Sequence, residues 1–155
     1  MKLDFGLLAD NAHVDAAGKL YILGEFKYIY ATTVPAVHQR MVLVFRVVAD
    51  AIEVRDGTAQ LQLEVVDADG RPVAGLPRSA KMPIRFAPVG PADRGKWWAQ
   101  VTLELNGVML PHYGDYGLFI IVNDQNLGSV GFHVQPRPGP AAGQLPPAPQ
   151  VGPQA

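Results

Sequence analysis

From Trp97 onward the chain alternates apolar and polar residues with a period of two, and few folds can use that pattern. Val101, Leu103 and Leu105 interleave with Gln100, Thr102 and Glu104 before Asn106-Gly107, a turn dipeptide. Gly114-Asp115-Tyr116 then leads into Leu118, Ile120 and Val122, and after a second polar turn come Val130, Phe132 and Val134. Successive side chains of a strand point to opposite faces, so each run has one buried face and one wetted face. Such a sheet must cover its apolar face, and a second sheet is the simplest cover.

The rest of the chain reads the same way. Leu3 to Asp10 reads as a first strand, followed by a polar loop through Asp15 to Gly18. Leu20 to Gly24 and Phe26 to Thr32 are β-branched and aromatic, two strands bent at Gly24-Glu25 and closed by Pro35. Met41 to Val48 is apolar except at Arg46, the pattern of a central strand covered on both faces. Asp56-Gly57 precedes the alternating Leu61, Leu63 and Val65, and Asp69-Gly70 turns the chain into a short extended piece, Arg71 to Ala74. Pro77, Pro83, Pro88 and Pro91 interrupt the pattern between Gly75 and Gly95, leaving one edge strand, Lys81 to Phe86, within a long loop.

No stretch repeats apolar residues at helical spacing for three turns, so no substantial helix is expected. The predicted fold is an all-β antiparallel sandwich of about eight or nine strands, immunoglobulin-like in the broad sense. Tyr116, following Gly-x at the start of a late strand, is placed to turn its hydroxyl back onto the chain crossing between the sheets.

At 155 residues the chain fits one domain and a tail. Residues 135–155 hold 7 of the 14 prolines and one charged residue, Arg137. The expected division is a sandwich domain over 1–135 and a disordered Pro/Gly/Ala/Gln-rich tail over 136–155, because that composition cannot bury a core. Pro146 to Pro149 fits Pro-x-x-Pro but lacks a flanking basic residue, so it reads as spacer rather than docking ligand. A net charge of -1 supplies no field for nucleic acid or an anionic membrane. The apolar runs Met41 to Phe45 and Leu118 to Val122 are too short to span a bilayer. With no cysteine, disulfides and thiolate chemistry are excluded. An acid at Asp4 interrupts any signal-like start, and a cytoplasmic protein is expected.

Candidate chemistry is sparse. Asp10, His13 and Asp15, within six residues on one expected loop, form the densest set of potential metal ligands, although Asp and Asn also serve turns by local hydrogen bonding. Asp67-x-Asp69-Gly70 resembles the start of a calcium loop, but Arg78 stands where the bidentate acid belongs, so a hairpin turn is the better reading. Gly128-Ser129-Val130-Gly131 lacks the helix that a nucleophile elbow requires. Gly90 to Lys96 matches a phosphate loop in spacing, but Trp97 replaces its hydroxyl residue.

Arg94-Gly95-Lys96-Trp97-Trp98 is the surface-like feature, flanked upstream by Arg78, Lys81 and Arg85. Adjacent tryptophans on a strand point to opposite faces, so at most one easily joins the core and the other is left for packing, a partner, a sugar or a base.

Ala9-Asp10-Asn11-Ala12, Gly18 to Phe26, Pro35, Asp67 to Gly70 and Gly114 to Phe119 together resemble an uncharacterised bacterial β-sandwich family, a domain of unknown function. The resemblance covers about residues 3–135 and implies the sandwich fold, with no activity to carry over.

The functional expectation is a non-enzymatic protein-interaction or structural module, without cofactor or metal, whose partner is an unknown protein or a second copy. Nucleic acid and membrane are not expected partners. Arg94, Lys96, Trp97 and Trp98 are the candidate contact surface. The alternatives are a carbohydrate-binding module using Trp97 or Trp98, and a small metal-dependent hydrolase using Asp10, His13 and Asp15.

Overall fold

Two five-stranded sheets enclose one apolar layer. The computed structural model describes residues 1–54, 56–73, 81–90 and 95–139. Among these, the strands in chain order are β1 (Lys2–Val14), β2 (Leu20–Phe26), β3 (Tyr28–Ala31), β4 (Ala36–Asp50), β5 (Thr58–Asp67), β6 (Met82–Arg85), β7 (Ala87–Pro88), β8 (Lys96–Leu110), β9 (Gly114–Val122) and β10 (Gln125–Pro136). The first sheet has the order β2-β1-β4-β8-β7 and the second β3-β10-β9-β5-β6. The expected sandwich is therefore what forms. Its additional strand is β7, two residues paired with Trp97 and Trp98, too short for any periodicity to announce. Among the described residues all strand pairings are antiparallel except β3 with β10, which is parallel.

The period of two fills the interior. Leu61, Leu63 and Val65 on β5, Tyr116, Leu118 and Ile120 on β9, and Val130, Phe132 and Val134 on β10 all face the core. Opposite them lie Met41, Leu43, Phe45 and Val47 of β4. This strand is central in its sheet and has Val42 and Val44 buried as well, which accounts for its nearly unbroken apolar run. The layers approach closely at Gly6, where an added Cβ would lie 2.7 Å from Val130 Cγ2.

The turns fall where local chemistry supports them, with two exceptions. Asp67 accepts the amides of Asp69 and Arg71 through Oδ1, both at 2.9 Å, which closes the expected turn after β5. Asn123 and Asp124, with φ of 49° and 64°, form the two-residue connection from β9 to β10.

Asn106-Gly107, by contrast, is no turn. It lies within β8, whose register with β4 runs unbroken from Leu103 to Asn106 and Val108. Gly107 has a φ of 67°, and the inward side of the strand changes there from Leu103 and Leu105 to Val108 and Leu110. The left-handed glycine thus kinks a paired strand instead of reversing it. Likewise, pairing with β1 continues through Glu25 to Phe26, and the break comes at Lys27, where the chain passes between sheets.

Candidate functional site

Trp97 and Trp98 take opposite faces of β8. Trp97 points inward onto the edge of the core, and its ring comes 3.3 Å from where a Cβ on Gly57 would stand. Trp98 points outward and is half-buried. The Arg46 guanidinium lies 5.0 Å from the Trp98 ring centroid and 5.2 Å from that of Phe5. This arginine donates to Gln100 Oε1 at 2.7 Å and stands 3.7 Å from Asp4. Its Nε and the Gln100 Nε2 are buried without a hydrogen-bond partner. A groove of about 480 Å³ runs beside them, lined by Lys2, Asp4, Arg46, Val48, Lys96 and Trp98 among others.

Lys96 is engaged with Asp50 at 2.6 Å. Their hydrogen bond holds the Asp50 carboxyl below its ordinary pKa and raises that of the Lys96 ammonium. Lys81 pairs with Asp124 at 2.6 Å, and Arg78 and Arg94 lie outside the described residues. The sequence cluster is thereby divided: Lys96 and Trp98 line the groove, and Trp97 belongs to the core.

Asp10, His13 and Asp15 do not converge. Asp10 and His13 lie on β1 rather than in a loop, and the Asp10 side chain occupies the space beside Gly24. The His13 ring stacks on Tyr21 at 4.9 Å. Asp15 Oδ1 accepts the amides of Ala17 and Lys19, both at 2.9 Å, and the Lys19 amide is the main reason its pKa is lowered. Among the described residues no group of three His, Cys, Asp or Glu side chains is placed to hold a metal.

The edges of the sheets show a feature that residue patterns miss. Pro83 interrupts edge strand β6 and Pro88 interrupts edge strand β7, while β3 has only four residues. Prolines and short length both blunt an edge against pairing with other chains. The fourth edge, β2, has seven residues, no proline and one neighbour, β1. It exposes Tyr21 at 48%, Ile22 at 39% and Leu23 at 70%. The next strand, β3, exposes Tyr28 and Tyr30. Since the two edge strands are separated only by Lys27, these aromatic and aliphatic groups share one side of the sandwich. The apolar composition of Leu20 to Leu23 was legible in the sequence; its position at an edge was not.

On the outer face of the second sheet, strand register places His133 opposite Asp115, with Nδ1 and Oδ1 2.7 Å apart and the Tyr28 ring edge-on at 6.2 Å. No local spacing could reveal that pair, because the residues meet only through the β9–β10 hairpin.

Among solved structures, the chain is similar to Pseudomonas fluorescens alkylpurine DNA glycosylase AlkC bound to DNA containing an abasic site analog. The identity is 14% over 70% of this chain and 27% of that chain, with a TM-score of 0.37, a likeness too slight to carry an argument. No curated protein matches the sequence. A family model matches residues 4–135, nearly the whole sandwich, and the chain accordingly belongs to DUF6941, a family of unknown function.

Proposed function

We propose that the protein works by surface contact, as a protein-interaction or structural module without a catalytic step of its own. The observation that carries this reading is the unguarded β2 edge, where Tyr21, Ile22 and Leu23 stand exposed beside Tyr28 and Tyr30. Exposed apolar groups gathered on one side suit a partner that removes them from water, and a free strand edge offers main-chain hydrogen bonds as well. A chain without cysteine suits a reducing compartment, and we place this contact in the cytoplasm.

Lysine-reactive cross-linking of the tagged chain in extract of its own cells, followed by mapping of the linked peptides, tests the reading. Lys19 and Lys27 flank β2, so intermolecular links are expected to concentrate on them. Links spread over all lysines, or only within the chain, would overturn it.

The second reading, a carbohydrate site at Trp98, is favoured by the groove beside that half-buried indole. Against it, Arg46 already lies over the ring. Tryptophan emission that stays constant across a glycan panel would remove this alternative.

A further inference from the structure

We propose that the free edge of β2 pairs antiparallel with β2 of a second copy of this chain, about a two-fold axis at Ile22, joining two sheets into one. This rests on the surface-contact reading above and names its partner. Three observations support it.

The first is the edge itself: β2 is long, free of proline and, among the described residues, bonded on one side only, whereas β6 and β7 carry prolines and β3 is short. The second is the apolar pattern. With the axis at Ile22, Ile22 faces its own copy and Tyr21 faces Leu23, so each exposed apolar group meets another on the same face of the joined sheet. A two-fold interface requires this self-complementarity, in which each contact occurs twice.

The third is charge. Continued one residue before β2, the same register sets Lys19 of one copy opposite Glu25 of the other, at both ends of the pairing. Neither side chain has an ion-pair partner within the chain among the described residues. Neighbouring registers lose this match. An axis at Leu23 would oppose Lys19 to Lys27 and Tyr21 to Glu25, and an axis at Tyr21 would oppose Lys19 to Leu23. Like charges placed directly opposite are destabilising, so the sequence of β2 selects the Ile22 axis.

Because the chain has no cysteine, one introduced thiol reports the register directly. Directly opposed residues of an antiparallel pair have Cα atoms about 4.5–5.5 Å apart, inside the range a disulfide bridges. Mild oxidation of Ile22→Cys is expected to give a covalent dimer. Leu20→Cys, displaced roughly 13 Å along the strand from its own copy, is expected to form no covalent link. Equal linking of the two variants, or none in either, would refute the register.

Sedimentation velocity of the full chain supplies the second arm. Lys19→Glu and Glu25→Lys are each expected to weaken self-association about tenfold, since each creates two repulsive pairs by symmetry. The double reversal is expected to restore it. Wild-type protein that remains monomeric at high concentration would sink the self-pairing. Links from Lys19 and Lys27 to a different protein would, in that event, leave the broader surface-contact reading standing. A dimer indifferent to both reversals would place the contact on another face and overturn the proposal as well.

Discussion

The Tyr116 hydroxyl donates a 2.7 Å hydrogen bond to the His112 carbonyl and accepts one of 3.0 Å from the His112 amide. It thereby pins the chain where it crosses from β8 in one sheet to β9 in the other, while the tyrosine ring stacks on Phe132 at 5.3 Å. Tyr116→Phe keeps the stacking and removes both bonds. Urea unfolding is expected to show a loss of about 1–2 kcal/mol with an unchanged slope, and no loss would mean that water replaces the corner freely.

Gly6 sits where β1 approaches β10 across the core. Gly6→Ala would press a methyl group onto Val130, whose branched side chain has little room to yield, and should destabilise by about 1–3 kcal/mol. Adding Val130→Ala should make the pair less damaging than the sum of the two single changes, because the second removes the atom that the first strikes. Additive effects in denaturant melts would argue against a close approach at this point.

The two tryptophans should respond differently to truncation. Trp97→Ala leaves a gap at the edge of the core and is expected to lose about 2–3 kcal/mol, below the range for fully buried rings because Trp97 is only partly buried. Trp98→Ala removes a cation–π contact on the outer face and is expected to lose about 1 kcal/mol. Thermal melts of both variants decide the matter, and a larger loss at Trp98 would invert the assignment of faces.

His38 gives the fold a dependence on pH. Burial pushes its pKa below the ordinary 6.5, against opposing effects from the Arg40 backbone and the Asp10 carboxylate. Its Nε2 has no partner, so a proton placed there would be buried without an acceptor. As pH falls through 6.5 the unfolded chain takes up this proton before the native one, and stability declines until the folded imidazole titrates too. Urea midpoints should therefore fall between about pH 7.5 and about pH 5.5 in the wild type and fall less in His38→Gln. The same decline in both proteins would exclude His38 as its source.

Much of the architecture was legible because it depends on alternation over short runs. The inward sets on β5, β9 and β10, the central place of Met41 to Val48 and the Tyr116 corner all follow from neighbours within a few positions. The errors arose where one dipeptide has two uses. Asn106-Gly107 is a turn when the flanking strands pair with each other, but here both flanks pair with β4, and the glycine became a kink. Gly24, with a φ of 70°, likewise separates no strands, because β1 holds the chain on both sides of it. Asp15 and Asp67 show the reverse case, since the local turn chemistry expected of them is what their carboxylates perform.

The candidate surface was only partly readable. That the two tryptophans oppose each other follows from strand geometry, but which one meets the core depends on the position of the second sheet. Arg46 reaches Phe5 and Trp98 across three strands, and His133 meets Asp115 across a hairpin. By itself the sequence determined that these residues form strands and which side of most strands is apolar, because side-chain direction and hydrophobicity are local properties. Only the tertiary structure decided that β2 would stand at an open edge, because strand order is a property of the assembled sheet, and Leu20 to Phe26 carries neither the proline of an edge strand nor the unbroken apolar run of a central one.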